Sequence, residues 1–346
     1  MSKLVVILGA GASADFGVPT LGQLFKDFHA KAYLKKNVWL LGQLQDIFWK
    51  PRGHDLNTSD ASLTVEEMLT ILRDWEKEAA IPPQLNTDEL ARFRKEIYLL
   101  IYKALFDGKS SKTEHLNQMI EFARKQFEQT TWASFNWDCI FESSFWYSSG
   151  TYEPGSRTNP RLVVDIKNWR HGSSRHLYLK LHGSINWWFE NNGLNYYQFS
   201  YTGNLRAKWE QYATEAKPTS QPVILEPSYY KYDDGLYDLL KPQWEVFLKN
   251  LIDADFILIV GYSLPTADGQ ARSKMLTAFQ ANPNSLWGVI DPNAETVNRY
   301  RRLFGETRLE TFNGTVVGFN NDFAVNFQQL FPTFSPKAPP APAVKP

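Results

Sequence analysis

Cysteine is nearly absent: there is one, Cys139, in 346 residues. A single thiol excludes a disulfide framework and any Cys-rich zinc site. Charge of one sign is not in excess either, since 37 Lys and Arg face 37 Asp and Glu. That balance gives no electrostatic reason to expect a nucleic-acid or membrane surface. Long apolar runs are also missing. The run nearest the start, Leu4–Leu8, is five residues, far short of the roughly 20 that cross a bilayer and short of the apolar core of a signal peptide. The expectation is a cytoplasmic protein that contacts neither nucleic acid nor membrane directly.

What the chain does have is apolar material for a core, at 43% of residues, and many aromatics, 12 of them Trp. Four short runs are continuously apolar rather than alternating: Leu4–Leu8, Thr131–Phe135, Phe256–Val260 and Leu286–Ile290. Strands covered on both faces read this way. A fifth, Tyr178–Leu181, precedes His182. Each of the four is followed by a turn and a helical pattern, which predicts an α/β fold with a parallel sheet flanked by helices. Leu63–Ala79, Thr87–Phe106 and Thr113–Phe127 carry apolar residues at three- and four-residue spacing. They predict a helical module inserted at about 31–128, broken at Pro82-Pro83. Residues 147–230 are less regular and rich in Asn, Gly, Tyr and Trp; they read as loops and hairpins over one edge of the sheet, with strands expected at Arg161–Ile166 and Tyr196–Tyr201. The Pro/Ala-rich end, 333–346, is expected to be a disordered tail.

The stretch LVVILGAGASADFGVP, Leu4–Pro19, is a buried strand running into a glycine turn. Gly9 and Gly11 would let the backbone approach a pyrophosphate, with free N–H groups at the helix start to receive its charge and Ser13 adding a hydroxyl. Read as G-x-G-x-x-G/A, the third position is Ala14. A dehydrogenase would place a ribose-binding acid about 20 residues on, after a second strand. Residues 20–30 read as helix instead, with Asp27 a helical residue, so that reading fails. Asp15 would set a negative charge beside the phosphate. A purely structural strand-to-helix turn stays open.

Three further stretches place polar residues at strand ends. In SFNWDCIFE, Asn136 and Asp138 emerge after a strand, where open α/β sheets bind ligands; alternatively they cap the next helix. In YLKLHGSINWW, His182 stands at a strand end before Gly183. There it is either a proton acceptor or a packed turn residue. LIVGYSLPTADGQ carries Gly261 and Ser263, and LWGVIDPN carries Asp291 and Asn293; Asp291 could take the ribose role that Asp27 cannot. Ser263, Asp268 and Asp291 read equally as helix caps.

As a set, these residues resemble the sirtuin family. Its glycine motif, G-A-G-x-S-x-x-x-G-[IV]-P, is matched by Gly9, Ala10, Gly11, Ser13, Gly17, Val18 and Pro19. Its T-x-N-x-D element is matched by Asn136 and Asp138, with Ser134 in place of Thr. The H-G pair is His182-Gly183, the late G-x-S is Gly261 and Ser263, and Asp291 and Asn293 match a following strand end more loosely. The chain departs from protein-deacylating sirtuins in lacking their two Cys-x-x-Cys zinc pairs and in reading Thr20-Leu21-Gly22 where they continue D-F-R. The helical insert and the KLHGSINW and GYSLPxxD wording are similar to the divergent bacterial sirtuin-like domains of anti-phage defence, which act mainly as NAD+ hydrolases. Ile224–Asp234 is weakly similar to their P-P-x-x-x-K loop, with Glu226 replacing the first Pro.

The resemblance implies one domain over 1–332, a Rossmann-like parallel sheet with a helical insert and no zinc module. It implies NAD+ as substrate, no metal, and cleavage to nicotinamide and ADP-ribose. Asn136, His182 and Asp138 would do the chemistry; Gly9, Ala10, Gly11, Ser13, Pro19, Gly261, Ser263, Asp291 and Asn293 would hold the dinucleotide. It further implies a homo-oligomer under control, with a separately encoded partner such as a ring-forming ATPase. Protein deacylation, ADP-ribosyl transfer and non-catalytic sensing of NAD+ or ADP-ribose are the alternatives.

Overall fold

The structure is a computed structural model, and it describes residues 2–54, 63–78, 80–107, 114–142, 144, 164–165, 175–191, 193–196, 202–215, 218–225 and 235–336. Ten strands are present among them: β1 Lys3–Leu8, β2 Gln129–Ser134, β3 Val164–Asp165, β4 Arg175–Lys180, β5 Gly183–Glu190, β6 Gly193–Tyr196, β7 Gln221–Ile224, β8 Phe256–Val260, β9 Leu286–Ile290 and β10 Leu309–Phe312. Seven form one sheet in the order β10-β9-β8-β1-β2-β4-β3. Six are mutually parallel, and β3 pairs antiparallel with β4 at the edge. This is the doubly wound, Rossmann-like α/β sheet that the strand–turn–helix pattern predicts.

The continuous apolar runs are explained by two-sided burial. In β1, Leu4, Val6 and Leu8 face one core while Val5 and Ile7 face the other. All five are at most 1% exposed, and each such side chain stabilises the fold by about 1.5–3 kcal/mol. From β1 the chain builds outward through β2 and β4 on one side, then returns to build β8, β9 and β10 on the other. The strand order reverses at the β1/β8 boundary. In open α/β sheets such a switch point leaves a crevice beyond the carboxyl ends of the strands.

Between β1 and β2 the chain is helical, as expected, but the entry differs from the prediction. A 3-10 helix, Leu21–Lys26, ends at Asp27, and the first long helix of the segment is Phe28–Lys36. Asp27 is its N-cap, with Oδ1 accepting from Ala30 N at 2.9 Å, and not a helical residue. Short carboxylates prefer that place because they satisfy an orphan N–H of the first turn. The helices Val65–Glu78, Thr87–Asp107 and Glu114–Gln126 complete the segment.

The stretch read as loops and hairpins holds a second, smaller sheet among its described residues. β5 continues directly from His182 and pairs antiparallel with β6 and β7 in a second, three-stranded sheet. A 13-residue helix, Thr202–Thr214, lies on it: Trp209 Nε1 donates to Ile185 O at 2.9 Å, Lys208 pairs with Glu190, and Trp209 stacks on Tyr102 of the helical segment. Of the strand expected at Arg161–Ile166, Val164–Asp165 is observed; of that at Tyr196–Tyr201, the observed strand ends at Tyr196. The remainder of both, Glu226–Asp234 and 337–346 of the tail lie outside the described residues. Among the described residues no helix is long and apolar enough to cross a membrane, and no group of three or more His, Cys, Asp or Glu is placed to hold a metal ion.

Candidate functional site

Five strand ends meet at the switch point, and the space above them is a cavity of about 610 Å³. Ala10, Gly11, Pro19, Asn136, Asp138, His182, Gly261, Ser263, Asp291 and Asn293 line it. Residues up to 283 positions apart in sequence are thus brought to one place by the parallel register alone. Gly9 and Ser13 do not line it, and both are bonded to Asn136, which does. Thr64, Glu66 and Leu105 of the helical segment also line it, a contribution that no motif in the sequence announces.

The glycine turn is built differently from its expected use. Gly9 N donates to Val260 O at 3.0 Å and Gly11 N to Gly261 O at 2.9 Å. A Cβ on Gly9 would lie 2.3 Å from Tyr262 Cα, and one on Gly11 2.8 Å from Gly261 Cα. The glycines are therefore required by the close approach of the β8 end. The N–H groups of Ala12, Ser13 and Ala14 bond back to the carbonyls of Gly9 and Ala10 at 2.9–3.1 Å. Within residues 9–14, Ala10 retains an N–H with no backbone acceptor among the described residues. The expected row of free N–H groups is reduced to that one.

Asp15 also lines the cavity, but its carboxylate has a partner of its own. Its Oδ2 accepts from Val317 N at 3.0 Å, at the start of the short helix Val316–Asn320. The charge that looked misplaced beside a phosphate is thus held against a helix N-terminus, where a carboxylate is favourable.

Asn136 ties the turn to β2. Its Nδ2 donates to Gly9 O at 2.8 Å and Ser13 Oγ at 3.0 Å. A carbonyl only accepts, so the amide nitrogen must face Gly9, and Oδ1 is the atom left to offer the cavity. Asp138 does cap locally: Oδ1 accepts from Ile140 N at 2.9 Å. Behind this loop the fully buried Lys180 donates Nζ to Asp138 O at 2.5 Å and lies 3.1 Å from Glu142 Oε1. Burial pushes the Glu142 carboxyl upward, and Lys180 opposes that.

His182 is 4% exposed and has Phe135 edge-on at 5.0 Å and Trp244 at 6.0 Å. Its carbonyl accepts from Leu225 N at 2.9 Å. Gly183 beside it has φ +73°, and a Cβ there would lie 1.9 Å from Val223 O. The H-G pair is thus a turn that only glycine allows. His182 Nε2 lies 3.2 Å from Asp268 Oδ2, which also accepts from Tyr262 Oη at 2.5 Å. Asp268 had read as a helix cap. It makes no cap bond, and its part in the site is the main one that sequence reasoning missed.

On the far side, Asp291 Oδ1 accepts from Asn293 N at 2.8 Å. Burial pushes its carboxyl upward. Asn293 caps the helix Ala294–Phe304 through Glu295 N at 2.9 Å. The Ser263 carbonyl accepts from Arg299 at 2.8 Å, tying the β8 loop to that helix.

No family model matches this chain, and no curated protein matches it. Solved structures similar to it are Sir2 proteins. One is a mutant Sir2 homologue in complex with 2′-O-acetyl ADP ribose, 14% identical, with 96% of this chain and 95% of that chain covered and a TM-score of 0.48. Another is Sir2 with the inhibitor EX-527, 2′-O-acetyl-ADP-ribose and deacetylated p53 peptide, at 12% identity, 94% coverage of each chain and a TM-score of 0.47. A third is a Sir2 homologue–NAD complex, at 12% identity, 95% and 90% coverage and a TM-score of 0.46. At this level no residue's role transfers from those proteins to this chain.

Proposed function

We propose that this protein hydrolyses NAD+ to nicotinamide and ADP-ribose. The observation that carries the reading is the cavity at the β1/β8 switch point, whose lining includes Asn136, Asp138, His182, Asp291 and the turn that follows β1. The motif set quoted above supplies the substrate class, and the motif departures favour water as acceptor: with one cysteine the chain has no zinc module of the deacylating kind.

The chemistry follows from what each side chain has left to give. In NAD+ the bond from the anomeric carbon to the nicotinamide nitrogen breaks. Its electron pair returns to the ring and cancels the ring's positive charge, while positive charge builds on the ribose. Water forms the new bond to the anomeric carbon and must lose a proton. Asn136 offers Oδ1 to orient that water or a ribose hydroxyl, because its Nδ2 is spent on Gly9 and Ser13. His182 accepts the proton, a role that imidazole fills near neutral pH. Asp138, with Oδ1 spent on Ile140, offers its second oxygen to ribose hydroxyls and to the developing charge. Ala10 N–H and Ser13 support the pyrophosphate side, and Asp291 and Asn293 the adenosine side.

An unregulated enzyme of this kind would deplete its own cell. The reading therefore includes control by assembly or by a separately encoded partner such as a ring-forming ATPase, and service as an effector of anti-phage defence. The test is nicotinamide release by wild type, His182→Ala and Asn136→Ala, with NAD+ affinity measured alongside. Wild-type turnover lost in both variants, with NAD+ still bound, supports the reading. Undiminished turnover in either variant refutes these roles, and ADP-ribose linked to protein would make the enzyme a transferase.

A further inference from the structure

Asp268 stands directly before the helix Gly269–Ala281, in the N-cap position, yet its side chain makes no cap bond. An aspartate there ordinarily contributes about 1 kcal/mol to the helix. Here the carboxylate turns inward instead and is fully buried. Burying a carboxylate costs stability unless hydrogen bonds compensate, and two groups converge on its Oδ2. Tyr262 donates its hydroxyl at 2.5 Å, and His182 Nε2 lies 3.2 Å away. Tyr262 is itself fixed: its ring stacks on Phe135 at 4.1 Å, and its carbonyl accepts from Tyr300 Oη at 2.7 Å. Phe135 and Trp244 then contact the imidazole.

We infer that Asp268, held by Tyr262, is a positioning residue that keeps Nε2–H of His182 toward the carboxylate and the ring's lone pair on Nδ1. It sets both the tautomer and the basicity of the proton acceptor. A buried carboxylate behind a histidine does this by orienting the neutral ring and stabilising the imidazolium once it forms. What His182 is poised to deprotonate rests on the NAD+-cleaving reading; the Tyr262–Asp268–His182 arrangement itself does not. The other titratable groups around the ring come from several elements. Asp138 follows β2 and Glu66 belongs to the helix Val65–Glu78; both line the same cavity. Tyr300 lies within electrostatic reach of Asp268, Asp291, Arg272 and Arg299. Burial, then the neighbouring Asp268 carboxylate, push the Tyr262 phenol well above its ordinary value, so it remains a donor.

The test uses Asp268→Asn and Tyr262→Phe in the full chain. The His182 ring nitrogens are followed by 15N NMR across pH, and kcat and KM for NAD+ are measured over the same range. Asp268→Asn removes the negative partner, so the His182 pKa and the acid limb of the kcat profile fall by about 1–3 units. The same change lowers kcat by about 100-fold with KM unchanged. Tyr262→Phe leaves the carboxylate a stronger partner, so both shift the opposite way. Asp268→Glu restores part of kcat. A His182 titration that moves in neither variant, or a loss confined to KM, overturns the inference. Should Asp268→Asn fail to fold, Tyr262→Phe decides alone: an unmoved His182 pKa refutes the arrangement. Wild type that consumes no NAD+ removes the catalytic reading, and the NMR titration still decides the rest.

Discussion

Replacing Gly261 by alanine should cost more than any ordinary glycine-to-alanine change in this protein. Gly261 has φ +60°, and a Cβ there would lie 2.3 Å from Ala12 N and 2.4 Å from the Gly11 carbonyl carbon. The left-handed conformation alone costs a residue with a side chain about 1–2 kcal/mol. The contacts are to backbone, which cannot rotate aside, and overpacking of that kind costs about 1–3 kcal/mol more. The expected loss is therefore about 2–5 kcal/mol. The displacement should also reach the cavity, because Gly11 N bonds to Gly261 O and Gly261 N to Ile290 O, both at 2.9 Å. Gly269, eight residues on, is the control: a Cβ there meets nothing within 4 Å. Alanine at Gly269 should be neutral or stabilise by up to about 1 kcal/mol through the unfolded chain. Urea unfolding followed by tryptophan fluorescence compares the two at equal slope. A Gly261→Ala midpoint within error of wild type, or matching that of Gly269→Ala, would refute the close-packing argument for the glycine turn.

Other expectations follow from the same geometry. Asp15→Asn should cost about 0.3–1 kcal/mol by removing a charge from the N-terminus of Val316–Asn320, with NAD+ affinity by calorimetry unchanged or improved. Lys180→Met should destabilise by about 3–5 kcal/mol by stranding the Glu142 carboxylate in the core, and adding Glu142→Leu should recover much of that in urea unfolding. Burial raises the Asp291 carboxyl, so it takes up a proton at higher pH than an ordinary aspartate. On the account given, NAD+ affinity should weaken as pH falls through that raised value, and Asp291→Asn should flatten this pH dependence in calorimetry.

The buried parallel strands were legible because two-sided burial leaves a continuous apolar run. Phe256–Val260 and Leu286–Ile290 coincide with β8 and β9, and Leu4–Leu8 differs from β1 by one residue. β10 was not read, because LETF at the sheet edge is half-exposed and carries no such run. β5 was not read because GSINWWFE mixes polar and aromatic residues with neither an alternating nor a continuously apolar pattern, although its first six residues are buried. Among candidate site residues, the strand-end positions of Asn136, Asp138 and His182 put them in the cavity lining. Local pattern could not reveal Asp268: its partner His182 is 86 positions away, and an aspartate before a helix reads as a cap. The same limit applied to Asp15, whose partner Val317 is 302 positions distant.

The central claim is tested most directly by incubating purified protein with NAD+ in 18O-labelled water, alone and with the proposed separately encoded partner, and resolving the products by mass spectrometry. Hydrolysis at this site yields nicotinamide and ADP-ribose in equal amounts, with one 18O on the ribose carbon released from nicotinamide, and no product from His182→Ala. Intact NAD+ under both conditions, or cleavage only when an acylated peptide is supplied, would contradict it.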